Sequence, residues 1–219
     1  KIKSRPQPFA GSSYYSKKSI DYKNLKINFF DTAETIKNKV RAFTFPEYQV
    51  PKIKDYYINF ASIINSKSKK KPGSILFINS KKIVISTVDY DISLKRDKNF
   101  ELFHSASKNN IKEVRECIKS GANINVRLGN GWTPIITASF HGAIDTLKIL
   151  IDNGADINLT NYKGTTPLMY AMHYYENTGD KKVFKMLIKN GACLHKRDLK
   201  NKSLQDYMKE RNVKKTIFV

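Results

Sequence analysis

Gly121-Ala122-Asn123-Ile124-Asn125, Gly154-Ala155-Asp156-Ile157-Asn158 and Gly191-Ala192-Cys193-Leu194-His195 are one phrase written three times, the first two glycines 33 residues apart and the next two 37. A second phrase runs in phase with it: Gly131-Trp132-Thr133-Pro134-Ile135 and Gly164-Thr165-Thr166-Pro167-Leu168, again 33 apart. A fixed period of this size is the signature of stacked helical repeats. Thr133 and Thr166 are expected to cap helices whose first residues are Pro134 and Pro167, where a missing N–H costs nothing. Gly121, Gly154 and Gly191 follow helical runs and supply left-handed C-caps. Between them, Ile144, Leu147, Leu150 and Ile151 fall on one helical face.

These phrases resemble the ankyrin repeat family over about residues 99–219. The first repeat, Phe100 to Arg127, lacks the Thr-Pro opening, and the last piece, Asn201 to Arg211, replaces it with Lys-Ser-Leu before a polar helix. Atypical end repeats cap a solenoid, so two full repeats are expected between two caps. The third repeat is longer by the stretch His173 to Asp180, which is expected to extend its first helix or the following loop. Cys117, next to Ile118, reads as a small core residue.

Working outward, the 219 residues carry 40 Lys and Arg against 19 Asp and Glu, a net charge of +21. That much positive charge is the usual footprint of a nucleic-acid or phosphate binder. Lys, Asn and Ile are abundant throughout, however, as an AT-rich genome produces, and Lys dominates over Arg with no Arg/aromatic recognition motif. The favoured reading is compositional drift with a local phosphate site. No apolar run approaches a membrane span, and no secretory signal opens the chain. Two cysteines, Cys117 and Cys193, form no disulfide framework, which fits a reducing cytoplasm. The four histidines lie far apart and show no metal-ligand spacing.

Residues 1–98 have a different texture. Tyr14 to Asp21 reads as a short strand into a turn. Asp31-Thr32-Ala33-Glu34 reads as a capping box, and Ala33, Ile36, Val40 and Phe43 recur at helical spacing, predicting an amphipathic helix over about Thr32 to Thr44 that Pro46 stops. An aromatic loop (Phe43, Phe45, Tyr48) and a polar linker ending in Lys69-Lys70-Lys71-Pro72-Gly73 follow. Ser74 to Asn79 and Lys82 to Thr87 read as a hairpin, with Tyr90 to Leu94 a third strand. The fold class expected is therefore α+β: a helix and a small antiparallel β hairpin region over 1–98, then an all-α ankyrin solenoid over 99–219.

The order of a paired-basic strand, a helix ending in Val40-Arg41-Ala42-Phe43-Thr44-Phe45-Pro46-Glu47-Tyr48, and Lys71-Pro72-Gly73-Ser74-Ile75-Leu76 opening a hairpin resembles the C-terminal half of the folate-dependent formyltransferases. Two subfamilies compete, the methionyl-tRNA enzymes and the nucleotide-amino-sugar N-formyltransferases. Only some 45 residues separate Pro51 from the solenoid, too few for the full C-terminal barrel of the tRNA enzymes. The resemblance therefore favours the sugar enzymes, in which an appended ankyrin domain also occurs.

The resemblance implies transfer of formyl from N10-formyltetrahydrofolate to the amine of a dTDP-linked amino sugar, and a homodimer formed through the formyltransferase part. In that family an Asn, a His and an Asp carry the chemistry on an N-terminal Rossmann-like half. No such set lies here, and the chain opens without Met in an extended Pro-containing stretch, so the catalytic half and the folate site are expected upstream. The catalytic set in this chain is thus none.

A nucleotide-sugar asks for cations near its diphosphate and an aromatic group near its base. Tyr48, Arg41, Lys17 and Lys18 are the substrate-binding candidates, although exposed lysines are more often simply solvated. In the solenoid, Trp132 projects from the position between Gly and Thr-Pro. Trp132, Tyr174, Tyr175, His141, Arg127 and Lys163 are the candidates for a second nucleotide-sugar site. A non-enzymatic ankyrin adaptor that binds protein and an RNA-directed formyltransferase are the alternatives.

Overall fold

The computed structural model describes residues 26–45 and 49–213. The predicted strand at Tyr14 to Asp21 lies outside them.

Helix α1 (Ala33–Phe43) begins at Thr32, whose hydroxyl accepts the Thr35 N–H at 3.2 Å. The capping box read from Asp31–Glu34 is not formed. The third helical position is Thr35, whose hydroxyl pairs with that of Thr32, while Glu34 pairs with Lys37. The Ala33 N–H instead donates to Asp89, 2.8 Å away, and this bond holds the Asp89 carboxyl below its usual range. Ile36 and Val40 face a small core made with Ile58, Ala61, Ile83, Ile85, Ile92 and Leu94.

Those last six residues come from a five-stranded antiparallel sheet: β1 (Lys52–Ile53), β2 (Tyr56–Ile64), β3 (Ile75–Ile78), β4 (Lys82–Ser86) and β5 (Asp91–Arg96), in the order β1-β2-β5-β4-β3. β3, β4 and β5 are the three predicted strands. β1 and β2 occupy the stretch read as loop and polar linker, which corrects that reading. The reason is local: a bulge between Ile58 and Phe60 breaks the two-residue alternation, and most of β2 is only half-buried. β1 pairs with β2 only at Tyr56 and Tyr57. From Asn59 to Ile64, the edge of β2 away from β5 has no strand beside it among the described residues.

β5 runs straight into the solenoid. Asp97 is the single residue between Arg96 and α2 (Lys98–Ser107), and its carboxylate accepts the N–H groups of Asn99 and Phe100, both at 3.0 Å. Then come α3 (Ile111–Lys119), α4 (Pro134–His141), α5 (Ile144–Asp152), α6 (Pro167–Thr178), α7 (Lys182–Lys189) and α8 (Leu204–Glu210). Thr133 and Thr166 cap α4 and α6 as expected, and Ser203 caps α8 in a full capping box with Asp206. Helix α6 has twelve residues against eight in α4, so the inserted stretch lengthens the helix. One apolar core, including Cys117, Leu147, Leu150, Leu168 and Phe184, runs through every helix pair. Burial pushes the Cys117 thiol up to about 12, as suits a core residue. Outside the core, Asn125 and Asn158 each accept a backbone N–H from the next repeat, at 2.9 and 2.7 Å, and Asn99 accepts that of Asn123 within the first repeat at 2.8 Å.

Sheet and solenoid are locked together by one buried guanidinium. Arg96, at the end of β5, makes a bidentate pair with Glu101 of α2 (2.9 and 2.8 Å) and reaches Glu113 of α3 at 3.3 Å. It also donates to the Asn79 carbonyl at 3.0 Å and lies 4.2 Å from the centre of the Tyr56 ring. Lys98 adds contacts to Glu101 and Glu116 at 2.8 and 3.2 Å. Side chains of Arg96 and Glu101 are 5% and 4% exposed. Removing one member of such a pair leaves the other charge buried. Arg96→Met is expected to lower unfolding free energy by about 3 kcal/mol, read as a shift of the urea midpoint. An unchanged midpoint would show that the junction bears no load.

Candidate functional site

Four rings of the solenoid, Trp132, Phe140, Tyr170 and His173, gather in one cluster. Trp132 ends a tight turn in which its N–H and C=O both pair with Leu128, each at 2.9 Å, just before the Thr133 cap. Its indole lies 4.6 Å from the Tyr170 ring and 5.3 Å from Phe140, tilted to both. Phe140 in turn stacks flat on His173, at 5.1 Å with 5° between planes. Tyr170 receives the Asn161 amide at 3.0 Å, and burial raises its phenol above the ordinary value.

Beside this cluster opens a cavity of about 320 Å³ whose walls include Phe140, Tyr170, His173, Lys200, Tyr207 and Arg211. Arg211 is paired with Glu176 at 2.6 Å and lies over the Tyr207 ring. Tyr207 donates its hydroxyl to Asp198 at 2.5 Å, and this bond drives its pKa up to about 12. The arrangement sets flat rings next to two cations, the combination that holds an aromatic group with an attached anion.

Of the residues singled out from sequence, only Trp132 stands in this cluster. His141 is exposed and meets Phe140 edge-on at 5.1 Å. Tyr174 and Tyr175 pack against the core, Tyr174 over Gly142, where a Cβ would come within 2.1 Å of the ring. Arg127 lies 5.7 Å from the Tyr162 ring, and Lys163 is exposed on the next finger. Sequence reasoning missed Phe140, Tyr170, His173, Tyr207 and Arg211. The signal was available: Phe140 and His173 are one 33-residue period apart, and Tyr170 and Tyr207 one 37-residue period.

In the N-terminal part, Lys17, Lys18 and Tyr48 lie outside the described residues. Arg41 is exposed on α1 and lines a cleft of about 620 Å³ between α1 and β2, shared with Lys37, Val40, Ala61 and Ile63. Asn59, on the same cleft, donates to Asp97 at 3.1 Å, while its own carbonyl oxygen is buried without a partner.

A cluster of Glu101, Glu113 and Cys117 has ligand atoms within 4.8 Å of one another. Arg96 and Lys98 already neutralise its carboxylates and the thiol is held protonated, so the chemistry is that of an ion-pair core. Nor do the described residues fit a formyl donor. The nearest Asn, His and carboxylate set is Asn177, His173 and Glu176, on the end of α6, with Glu176 taken by Arg211 and the imidazole stacked on Phe140.

Residues 81–198, more than half of the chain, match the ankyrin repeat family in three copies. The chain belongs to the ankyrin repeat family. Residues 19–99 match the formyl transferase C-terminal domain, so the ankyrin array follows a domain of formyl-transfer type. Among curated relatives, an ankyrin repeat protein of Borreliella burgdorferi is 32% identical over 134 residues, 60% of this chain and 58% of that protein. The human ankyrin repeat and SOCS box protein 3 is 30% identical over 88 residues, 40% of this chain and 17% of that protein. An ankyrin repeat protein of fowlpox virus is 29% identical over 133 residues, 48% of this chain and 18% of that protein. The chain thus spans about a fifth of the length of the last two. Among the described residues, no helix is long and apolar enough to cross a membrane.

Where the ankyrin array meets the sheet, His104 of α2 stacks on Tyr57 of β2 at 4.7 Å. Burial, and then Lys108 and Lys52, hold its pKa below the ordinary 6.5. A depressed histidine contributes stability that is fully present above its unfolded pKa and is lost as pH falls through the folded one. Between about pH 7 and about pH 5, the chain is expected to lose stability relative to His104→Phe, which keeps a ring in the stack and cannot charge. Thermal melts across that range check it. Parallel pH profiles would remove His104 as the source.

Proposed function

We propose that this chain is the substrate-side and regulatory portion of a sugar N-formyltransferase, and that its ankyrin groove binds a nucleotide-linked amino sugar such as a dTDP sugar. The formyl-transfer class follows from the domain match over residues 19–99, and that class uses a folate-type formyl donor in general. The nucleotide reading rests on one observation: Phe140 and Tyr170, both packed against Trp132, wall a cavity that carries Lys200 and Arg211. A base stacks on the rings, a diphosphate takes the cations, and Arg211 exchanges Glu176 for phosphate. An exposed ion pair of this kind contributes little, so the exchange is cheap. The groove then acts as a sensor for the sugar and does no chemistry itself.

Ankyrin repeats support protein binding as well, and exposed Tyr162 and Leu199 on neighbouring fingers favour that second reading.

Trp132 is the only tryptophan in the chain, and its emission reports on the groove through the Phe140 and Tyr170 rings it packs against. Titration of the 219-residue chain with dTDP is expected to quench it in a saturable way. Loss of the stack in Trp132→Ala should weaken binding, measured by calorimetry, by about 5- to 150-fold, the range set by base–aromatic stacking of roughly 1–3 kcal/mol. Arg211→Ala should weaken it further. No quench at millimolar dTDP leaves the protein-binding reading.

The same chain, mixed with N10-formyltetrahydrofolate and a dTDP-linked amino sugar, is expected to transfer no formyl group. Measured turnover would place catalytic residues within it.

A further inference from the structure

We infer that the open edge of β2 is a docking site for an extended acidic segment of another polypeptide, which joins the sheet as an added strand. The backbone supplies half of the recognition. From Asn59 to Ile64, β2 bonds to β5 on one side and has no strand on the other among the described residues, so alternate N–H and C=O groups point away from the sheet. Proteins usually blunt such an edge with proline, an inward charge or a bulge. Here the bulge lies at one end, between Ile58 and Phe60, and the stretch beyond it is regular.

Side chains supply the other half. Helix α1 lies beside that edge, and the cleft of about 620 Å³ between them runs past five consecutive residues of β2, Asn59 to Ile63. Its apolar surface comes mainly from Phe60 and Ile63, over buried Val40 and Ala61, and its charge from Lys37 and Arg41. Both charges are positive. Among the described residues, Lys37 is engaged only by Glu34, in an exposed pair of small worth. Arg41 has no hydrogen bond or ion pair with any described residue and stands exposed. An apolar slot with two available cations calls for aliphatic stems ending in carboxylates.

The spacings agree. Residues four apart on a helix, as Lys37 and Arg41 are, are separated by about 6 Å along the axis. Residues two apart on a strand are separated by about 6.6 Å and point to the same face. A strand laid along β2 therefore presents the side chains of a Glu-x-Glu pair to Lys37 and Arg41 together. Glutamate fits better than aspartate, because its longer stem spans the apolar slot before the carboxylate reaches the cation. The intervening residues point to the opposite face, where Phe60 is 59% exposed, and there β-branched residues pack best. The occupant is thus a strand of alternating glutamate and β-branched residues, recognised by main-chain pairing for affinity and by the two cations for choice.

A chain of charge +21 attracts any polyanion, so the test must separate the site from net charge. The probe is a fluorescein-labelled peptide, Ser-Thr-Glu-Val-Glu-Val-Thr-Ser, titrated with the full 219-residue chain and followed by anisotropy. Two comparators accompany it: one with lysine for glutamate, and one with alternate amides N-methylated so that it cannot pair as a strand. The acidic peptide is expected to bind at least about tenfold more tightly than either. Arg41→Glu should cost about tenfold, whereas Lys148→Glu, the same charge change on the exposed face of α5, should stay within about twofold. Hydrogen exchange at residues 59–64 should slow when peptide is bound. Equal losses for Arg41→Glu and Lys148→Glu, or unchanged exchange at 59–64, would overturn the inference. So would displacement of the peptide by dTDP, which would return Arg41 to a phosphate. Arg41 is exposed and has no partner among the described residues, so its replacement is expected to leave the fold intact, and circular dichroism checks this.

Discussion

One charge organises this molecule. The guanidinium of Arg96 is held between the end of the sheet and the first two helices of the solenoid, with Glu101 on one side, Glu113 nearby and the Tyr56 ring against its face. A buried cation must be fully satisfied or it unfolds its surroundings. Here the satisfaction comes from both parts at once: strand β5 carries the arginine, helices α2 and α3 carry the acids, and the β3–β4 turn supplies the Asn79 carbonyl. Neither the sheet nor the solenoid can place these groups alone. Asp97, the only residue between them, spends its carboxylate on the α2 cap and on the Asn59 amide, so the connection leaves no slack.

That rigidity gives the two halves a fixed relation. Trp132 and its neighbours sit two helices beyond the junction, in repeats that contact only their neighbours. Occupancy of the groove can reach the sheet through the first repeat, by way of Leu128 packed with Val50 and Phe100, the Tyr57–His104 stack and the Arg96 cluster. A regulatory role for the groove has this short path and needs no hinge.

The solenoid was legible in the sequence because its rules are local. Thr133, Thr166 and the glycines after each second helix announce the ends of helices without reference to anything distant. The extra residues of the third repeat followed from counting, which left helix and loop open. The strands β3 to β5 were legible as short apolar runs bounded by turn residues, whereas β2 was hidden by its bulge and by its half-buried faces. The site was legible only at Trp132. Tyr174 and Tyr175 drew attention as an aromatic pair in an insertion, yet helical geometry turns them toward the core. Phe140 and His173, seven residues past successive Thr caps, fall one above the other because a solenoid repeats in space as it does in sequence. The ion cluster was invisible for the opposite reason: Arg96 and Glu113 are 17 residues apart and belong to no shared period.

The asparagine rungs between repeats have a mechanical meaning. Asn125 and Asn158 tie one repeat to the next through neutral hydrogen bonds to backbone groups, while Arg96 ties the first repeat to the sheet by several charged ones. A tensile load applied at α8 therefore meets neutral rungs between repeats and a buried charge cluster at the sheet. Under force the repeats part from one another before the charged anchor yields.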